Sequence, residues 1–476
     1  MPEGSHSRGL YEGRTVLVVG AARSGVAAAR FLLDQEATVI LSDAKERAAL
    51  ESALTPLLPG GVPRARLTLE LGGHRLESFG ACDLVVVSPG VPLSLPAFAR
   101  SRENRIPVIA EVELAWRHID GTVLAVTGSN GKTTTTALLA ELLRGSGLKA
   151  QAAGNIGVPL VSFAGQVAPD LFHCVELSSF QLEGIVGFRP RAAALLNLTP
   201  DHLDRYPTFE AYAAAKERIF RNQTAGDAAV LNWDDALVRE VAGRVKSAPV
   251  FFSRREAPAR GCFVRGDAVI HRDGTRETAL FGTSDIRLPG AHNVENVLAA
   301  AALAVESGAR TESLRASIRA FAGVEHRLEH VAEIGGVRYV NDSKATNVDA
   351  AVKSVEAFDA PVVLIAGGRD KGGDFSSLRK LIARRLRHLV LIGEAAEKIR
   401  EALRGSCEMS QAGSMAQALC KAAGVAQEGD VVLLAPACAS FDMFENYEHR
   451  GREFKAAVHA LERERAPRDS ESRARH

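Results

Sequence analysis

The stretch Val123–Leu143 (VLAVTGSNGKTTTTALLAELL) constrains the fold of this chain more than any other stretch does. Its first residues, Val123–Val126, are apolar and partly β-branched, which predicts a short buried strand. A glycine-rich loop follows, and the Ala/Leu-rich remainder is typical of a helix. Strand, loop and helix in this order form a phosphate cradle. Glycines let backbone N–H groups approach phosphate oxygens, and the helix N-terminus adds partial positive charge.

The loop contains the residue types that such a cradle needs. It consists of Gly128, Ser129, Asn130, Gly131, Lys132, Thr133 and Thr134. Lys132 can reach the β- and γ-phosphates, and the Thr133 hydroxyl can bind the accompanying Mg²⁺. The usual phosphate loop has glycine six residues before the lysine, where Val126 stands here, so a glycine turn that only caps a helix is the alternative. The Thr-Gly-x-x-Gly-Lys-Thr string between strand and helix favours the nucleotide site.

Composition limits the class of protein. A chain of 476 residues is expected to form about two to four domains, and 46% hydrophobic with 24% charged residues is ordinary for a globular protein. The net charge of +1 gives no argument for nucleic acid or an anionic membrane as partner. The six cysteines form no C-x-x-C pair, which predicts buried thiols in a reducing compartment. We find no signal-peptide core and no apolar run of roughly 18 residues, which predicts a cytoplasmic protein without membrane insertion.

The N-terminal part has the pattern of a dinucleotide fold. Thr15–Gly20 and Ala37–Ser42 are predicted strands, with a glycine turn over Gly20–Gly25 between them and Asp43 after the second strand. The turn is G-x-x-x-x-G and not G-x-G-x-x-G, which favours a nucleotide diphosphate other than NAD. A turn that serves only packing is the alternative.

Three polar side chains in the central part can carry chemistry, but each also has an ordinary interpretation. Glu176 ends the predicted strand Phe172–Leu177, where a carboxylate beside the phosphate loop suits Mg²⁺; most such residues are solvated strand ends. His202 can bind a metal or can be a hydrogen-bonded loop histidine. Lys216 lies on the predicted helix Phe209–Phe220, where a lysine is normally solvated, and its spacing does not single it out.

A third α/β rhythm begins after Gly323. Its predicted strands are Val337–Asn341, Pro361–Gly368, His388–Gly393 and Asp430–Ala435. Polar residues cluster where these strands end, which is where α/β sheets bind ligands. His326 and His330 are four residues apart, as in some metal pairs, but we see no third ligand nearby, which disfavours zinc. The charged tail after Ala466 is predicted to be disordered.

Considered together, the motifs of the whole chain resemble those of the Mur ligases. The motifs are Thr127–Thr133, Gly154–Gly157, Glu176–Gln181, Asp201–Tyr206, His292–Asn296, His326-Arg327, Asn341–Asn347, Gly367–Asp374 and Ser440–Tyr447. The resemblance implies an α/β fold of three consecutive α/β domains. These are a Rossmann-like UDP-sugar-binding domain (1–117), a P-loop-type ATP-binding central domain (118–323) and a Rossmann-like amino-acid-binding domain (324–476).

The resemblance also implies an activity. It is an ATP-dependent amide ligase that adds D-glutamate to UDP-N-acetylmuramoyl-L-alanine through an acyl phosphate, in peptidoglycan precursor synthesis. The partners are these small molecules, with no nucleic acid, and we expect a cytoplasmic monomer. The implied cofactors are ATP, two Mg²⁺ ions and a CO₂-derived carbamate on Lys216.

Site residues follow from the same resemblance, motif by motif. The implied catalytic residues are Lys132, Glu176, His202 and Lys216, and the metal ligands are Thr133, Glu176, His202 and Lys216 as carbamate. ATP is assigned Gly128, Ser129, Asn130, Gly131, Lys132, Thr133, Thr134, Asn293, Asn296, Arg327 and Asp342. The UDP substrate is assigned Arg23, Ser24, Asp43, Ser88, Asn155 and His202, and D-glutamate is assigned Thr346, Lys371, Ser440, Phe441 and Tyr447. The chain departs from the usual family pattern at Ser129, often Thr, and at Tyr447, often Phe.

Three other functions compete with this interpretation. A folylpolyglutamate synthase also adds glutamate through an acyl phosphate, but the extra α/β unit over 1–117 speaks against it. A non-catalytic nucleotide-dependent switch needs no third domain with Lys371 and Ser440 at its strand ends. A nicotinamide dehydrogenase would not need Lys132.

Overall fold

The structure is a computed structural model that describes residues 9–57, 64–155, 157–202 and 205–465. The tail for which we predict disorder lies outside these residues. The chain forms two compact units. The first unit comprises Met1–Leu198, Glu210–Asp285 and Glu295–Ala320. The second unit comprises Thr199–Phe209, Ile286–Val294 and Phe321–His476.

The first sheet of the first unit is parallel and has the order β3-β2-β1-β4-β5. Its strands are β1 (Thr15–Val19), β2 (Thr38–Asp43), β3 (Leu67–Leu71), β4 (Leu84–Val87) and β5 (Val108–Ala110). Its helices are α1 (Arg23–Asp34), α2 (Arg47–Leu54), α3 (Leu76–Gly80), α4 (Phe98–Glu103) and α5 (Glu111–His118). The strand order reverses between β1 and β4, which is where a doubly wound sheet opens a crevice for a ligand. The turn after β1 lies at this crevice.

The second sheet of the first unit has the order β14-β13-β12-β11-β10-β9-β6-β8-β7. Its strands are β6 (Thr122–Thr127), β7 (Lys149–Gly154), β8 (Leu171–Glu176), β9 (Ala192–Leu195), β10 (Ala228–Asn232), β11 (Ala248–Ser253), β12 (Gly261–Arg265), β13 (Ala268–Asp273) and β14 (Arg276–Gly282). The helices are α6 (Lys132–Gly145), α7 (Ser179–Glu183), α8 (Phe209–Glu217), α9 (Ala236–Val241), α10 (Ala291–Glu306) and α11 (Thr311–Ala320). The pairs β12/β13 and β13/β14 are antiparallel, and the others are parallel. Because β6 and β8 are neighbours, their carboxyl ends lie side by side.

The sheet of the second unit has the order β15-β16-β20-β17-β18-β19. Its strands are β15 (Glu329–Ile334), β16 (Val337–Asn341), β17 (Val362–Gly367), β18 (Leu386–Ile392), β19 (Met409–Gln411) and β20 (Val431–Leu434). The helices are α12 (Val348–Glu356), α13 (Arg379–Arg385), α14 (Ala396–Ala402), α15 (Met415–Val425) and α16 (Tyr447–Arg465). Buried aliphatic clusters cover both faces of this sheet, as its apolar strands require. Strands β16, β20 and β17 are adjacent, so their carboxyl ends form one edge.

The expected fold class is confirmed, since three α/β sheets follow one another along the chain. Sequence reasoning missed strands β3, β7, β10, β15 and β19. Four of these are edge strands, which are half exposed and therefore carry a weak hydrophobic signal; β10 is buried but begins with two alanines. The predicted helix Phe209–Phe220 ends at Glu217 and continues as a 3-10 turn.

The cysteine prediction is correct for most, but not all, of the thiols. Cys82, Cys174, Cys262 and Cys438 are buried, whereas Cys420 is exposed. Cys420 lies on α15, on the face turned away from the sheet. Among the described residues, no helix is both long enough and apolar enough to cross a membrane.

Candidate active site

The phosphate loop connects the carboxyl end of β6 to the amino end of α6. Gly128 and Gly131 have φ angles of 151° and 85°, in the region that favours glycine. A Cβ atom at Gly131 would lie 2.1 Å from Oδ1 of Asn296 on α10, and one at Gly128 would lie 2.9 Å from Cβ of Leu196. The loop therefore requires glycine at both positions. Asn296, a predicted ATP contact, lies directly against it.

Lys132 begins α6 and folds back over the loop. Its ammonium donates hydrogen bonds to the carbonyl oxygens of Gly128 and Ser129, each at 2.8 Å. The Asn130 N–H donates to Oδ1 of Asn197 at 2.8 Å, and Nδ2 of Asn197 donates back to the Asn130 carbonyl at 3.1 Å. These bonds hold the loop backbone in place with a cation at its centre.

A carboxylate and a threonine hydroxyl meet at the amino end of α6. Glu176 ends β8 and is buried, and its Oε2 accepts a hydrogen bond from the Thr133 hydroxyl at 2.7 Å. Its Oε1 accepts a hydrogen bond from Nδ2 of Asn155 at 2.9 Å. Thr134 is buried in the same helical turn. Hydroxyl and carboxylate oxygens beside a phosphate loop are the ligands that Mg²⁺ prefers.

Lys216 lies against the same loop, with only 2% of its surface exposed. Its ammonium donates a hydrogen bond to the Gly128 carbonyl at 2.8 Å and lies 4.6 Å from the ring centroid of Tyr212. The Tyr212 hydroxyl donates to Oγ of Ser129 at 3.1 Å. Spacing predicts a solvated lysine, and this is wrong. The sequence signal for burial is weak: the positions three and four residues away are Tyr212, Ala213, Ile219 and Phe220, which place the lysine on a largely apolar side of the helix.

The predicted UDP-site residues lie at the crevice of the first sheet. Oδ2 of Asp43 accepts the backbone N–H that follows Gly20 at 2.6 Å, and the Ser88 hydroxyl donates to the Gly20 carbonyl at 2.9 Å. The Arg23 guanidinium donates to a carbonyl oxygen in the loop after β7 at 3.4 Å. Ser24 is half-buried in the first turn of α1. The structure thus brings these four predicted residues to one turn.

The second unit contains a cavity of about 450 Å³ at the edge formed by β16, β17 and β20. Its lining consists of Pro200, Asp201, His202, Thr346, Asn347, Val348, Asp349, Val352, Asp370, Lys371, Gly372, Gly373, Asp374, Ser377 and Ala437. The predicted residues His202, Thr346 and Lys371 are among them. This edge of the sheet is the expected place for a ligand.

Asp201 organises one wall of this cavity. Its Oδ1 accepts a hydrogen bond from the Lys371 ammonium at 3.3 Å, and its Oδ2 accepts one from Nδ2 of Asn347 at 2.9 Å. Nε2 of His202 lies 3.6 Å from the same Oδ2, and His202 has a φ angle of 54°. Sequence reasoning assigned no role to Asp201, although it stands in a motif. Its partners are about 150 or more positions away in the sequence, so no local pattern reveals them.

Three predicted D-glutamate residues lie outside this lining. Ser440 is buried, whereas Phe441 has 64% of its surface exposed. Tyr447 begins α16, and the Lys344 ammonium lies 5.3 Å from its ring centroid. Their assignment to the amino-acid pocket stays a prediction.

A second group in this unit contains predicted ATP contacts. Burial raises the pKa of Asp342, although the Arg327 guanidinium, 3.8 Å from its Oδ1, opposes this. Burial lowers the pKa of His292 to about 3, and Arg327 contributes to the shift. Nδ2 of Asn293 donates to a proline carbonyl at 2.7 Å. Arg327 is thus a cation between a buried carboxylate and a neutral imidazole, which suits it to an anionic ligand.

The histidine pair of the sequence is not the group that the structure forms. His330 lies on β15, whereas ligand atoms of Glu325, His326 and Glu329 lie within 4.8 Å of one another. The expectation that no third ligand is near is therefore wrong. The Lys455 ammonium donates to the two carboxylates at 2.5 and 2.9 Å, so the chain itself supplies a cation to this cluster.

The three consecutive α/β sheets and the phosphate loop with its carboxylate define a nucleotide-binding α/β protein. Three family models match the chain: Mur ligase MurD-like, N-terminal domain over residues 14–110; Mur ligase middle domain over 126–304; and Mur ligase, glutamate ligase domain over 326–438. The chain belongs to the Mur ligase family.

Curated relatives match over nearly their whole length. The chain is 48% identical to the UDP-N-acetylmuramoylalanine--D-glutamate ligase of Koribacter versatilis, over 94% of this chain and 98% of the relative. It is also 48% identical to the protein of the same name from Acidobacterium capsulatum, over 94% and 96%. Among solved structures, the UDP-N-acetylmuramate-alanine ligase of Thermotoga maritima matches with a TM-score of 0.60 at 19% identity, over 94% of this chain and 100% of that one. A pseudomurein peptide ligase of Methanothermus fervidus matches with a TM-score of 0.60 at 17% identity, over 94% and 100%. The structural matches support the fold.

Proposed function

We propose that this chain is an ATP-dependent amide ligase that adds D-glutamate to UDP-N-acetylmuramoyl-L-alanine in peptidoglycan precursor synthesis. One observation carries the proposal: full-length similarity to relatives with this named activity, in a chain that keeps the family's phosphate loop. Lys132, Thr133 and Glu176 are in contact with that loop or with each other. We further propose a monomer in the cytoplasm, with domains at 1–117, 118–323 and 324–476.

The reaction needs an activated carboxylate, because a carboxylate and an amine do not condense in water at useful rates. In the proposed route, the L-alanyl carboxylate attacks the γ-phosphorus of ATP, which gives an acyl phosphate and ADP. The amine of D-glutamate then attacks the acyl carbon, loses a proton and expels phosphate. Lys132 and the loop N–H groups stabilise charge on the transferring phosphoryl group, so catalysis depends mainly on positioning and electrostatics.

The donor set at Glu176 fits a magnesium ion. The Thr133 hydroxyl and the Glu176 carboxylate lie next to each other at the phosphate loop. Their hydrogen bond of 2.7 Å places two oxygen donors close enough to bind one cation. We propose that these residues hold Mg²⁺, and that His202 and Lys216 as carbamate are the further ligands of a site for two ions. Bound Mg²⁺ would neutralise the phosphate oxygens and make the γ-phosphorus more electrophilic.

Lys216 fits the carbamate in its position and burial. Its Nζ already lies at the phosphate loop, where a second anionic ligand would face the nucleotide. In the modification, neutral Nζ attacks CO₂, a C–N bond forms and the amine loses a proton. The lysine cation thus becomes an anion with oxygen donors. A hard metal ion can bind these oxygens, whereas it cannot bind an ammonium.

We assign the remaining substrates to the sites built above. The UDP group belongs to the turn of Arg23, Ser24, Asp43 and Ser88, with Asn155 toward the muramoyl end. ATP belongs to the phosphate loop, with Asn293, Asn296, Arg327 and Asp342 as its other contacts. D-Glutamate belongs to the cavity of Thr346 and Lys371, with Ser440, Phe441 and Tyr447 as further contacts.

Phosphate release from ATP tests the proposal directly. The assay contains UDP-N-acetylmuramoyl-L-alanine and, in turn, D-glutamate, L-glutamate, L-lysine or diaminopimelate. We expect release that depends on D-glutamate alone. Release with another amino acid would retain the ligase chemistry and overturn the assigned substrate. ATP binding without release in any mixture would favour a nucleotide-dependent switch.

A further inference from the structure

The lining of the cavity in the second unit carries an excess of negative charge, which would oppose the binding of D-glutamate. It contains four carboxylates, Asp201, Asp349, Asp370 and Asp374, but only one lysine, Lys371. The substrate brings two more carboxylates, and like charges this close repel each other. A dicarboxylate can bind here only if cations from outside the lining balance the acidic residues.

Lys398 supplies such a cation to Asp370. It lies on α14, does not line the cavity, and makes a short ion pair with Oδ2 of Asp370. Its ammonium also lies 5.6 Å from the ring centroid of Phe375, which is buried and follows the loop. Burial opposes ionisation of Asp370, but the Lys398 ammonium and the N–H of Gly373 together lower its pKa. The negative charge of Asp370 is therefore balanced by a cation that lies outside the cavity lining.

Asp370 also shapes the loop that carries Lys371. Its Oδ1 accepts the N–H of Gly373 at 3.0 Å, which closes a turn around Lys371 and Gly372. At its start, the loop is held by paired backbone hydrogen bonds between Arg369 and Ala439. Asp370 is next to Lys371 in the sequence. Without a cation to balance it, the Asp370 carboxylate would compete with the substrate for the Lys371 ammonium.

Lys353 supplies a cation to Asp349 in the same way. It lies one turn further along α12, outside the lining, and its ammonium is 2.9 Å from Oδ2 of Asp349. The Thr199 hydroxyl donates to the same oxygen at 3.1 Å. The other two carboxylates have partners of their own: Asp201 pairs with Lys371, and Oδ1 of Asp374 accepts two bonds from Ser376.

We propose that Lys353 and Lys398 are positioning residues for the amino-acid substrate: they balance Asp349 and Asp370, so that the Lys371 ammonium can donate to a substrate carboxylate as well as to Asp201. This inference rests on the proposed function. Neither lysine touches the cavity, so their effect is electrostatic and acts through the two aspartates.

The test is a D-glutamate saturation series on the full-length enzyme. We expect Lys398→Gln and Lys353→Gln each to raise the KM for D-glutamate about fivefold, with kcat and the KM values for the other substrates nearly unchanged. Lys398→Arg keeps the positive charge and should therefore keep the wild-type KM for D-glutamate. Asp370→Asn in the Lys398→Gln background should restore it, because asparagine keeps the acceptor for Gly373 without the charge.

Lys149→Gln is the matched control. It removes a lysine–aspartate pair of similar length, 2.8 Å to Asp170, on the surface of the first unit. The Lys398 side chain is 56% exposed, so its variants should fold, and melting temperatures check this. An unchanged KM in both glutamine variants would overturn the inference. So would a loss of kcat without rescue by Asp370→Asn. A wild-type enzyme with no response to D-glutamate would instead overturn the proposed function.

Discussion

The phosphate loop and the cavity of the second unit, where we propose that D-glutamate binds, differ in how their cations are held. At the phosphate loop, Lys132 and Lys216 donate to backbone carbonyls, and Lys216 is buried. At the cavity, lysines pair with carboxylate side chains, and these pairs keep part of their surface exposed. Backbone geometry therefore determines the first site and side-chain charge the second. We therefore expect substitutions at the phosphate loop to reduce activity more than substitutions at the cavity, because they leave buried polar groups without partners.

The largest expected effect is that of Lys132→Ala. It removes the cation at the centre of the loop and should lower kcat about 10³-fold or more, while the fold is retained. Phosphate release measures the activity and circular dichroism checks the fold. Wild-type turnover in this variant would contradict the phosphate-loop assignment.

Lys216→Ala tests whether the buried lysine acts through its charge. We expect a loss of about 10²-fold in kcat, since a ligand or cation beside the phosphate site is lost. If Lys216 carries a carbamate, added short carboxylates such as formate should partly rescue activity. Electron density for an unmodified amine in fully active crystals would contradict the carbamate.

Glu111 is a buried carboxylate of the first unit to which we assign no ligand, and its titration should affect the stability of the fold. Burial raises the pKa of Glu111 to about 7, against the ordinary 4.5, and its Oε1 accepts the N–H of Val161 at 3.0 Å. The folded chain thus holds this proton more strongly than the unfolded chain. The contribution of this group to stability is greatest below pH 4.5 and falls as the pH rises to about 7, by about 3 kcal/mol.

Denaturant unfolding between pH 5 and 8 measures this contribution. In Glu111→Gln the decline should be smaller, because glutamine does not titrate. Glu113→Gln serves as the comparison, since Glu113 lies on the same helix and accepts three backbone N–H groups from residues 186–188. An equal decline in wild type and Glu111→Gln would contradict the assignment of the titration to Glu111.

Among the three lysine-to-alanine variants, Lys371→Ala in the cavity should have the smallest effect. The side chain is 19% exposed and pairs with one carboxylate, so we expect a rise of about tenfold in the KM for D-glutamate. The KM for ATP should not change. A loss of kcat as large as that of Lys132→Ala would show that the two regions do not differ in this way.

Local patterns were enough to predict much of the fold and some of the site. The apolar runs of β1, β6 and β17 are continuous, and these strands were predicted to within one residue at each end. The edge strands β3, β7, β15 and β19 were missed, because a half-exposed edge has no continuous apolar run. The role of Asp201 was missed, because its partners Asn347 and Lys371 come from another part of the chain.

The sequence by itself determined the phosphate loop, the three α/β rhythms and the family, because each depends on neighbours in the chain or on motifs in a set order. Only the tertiary structure decided that Lys216 is buried and that Lys398 on α14 pairs with Asp370 at the cavity. The reason is physical: a backbone conformation is set by a few consecutive residues. The environment of a charged side chain is set by whatever the fold brings next to it.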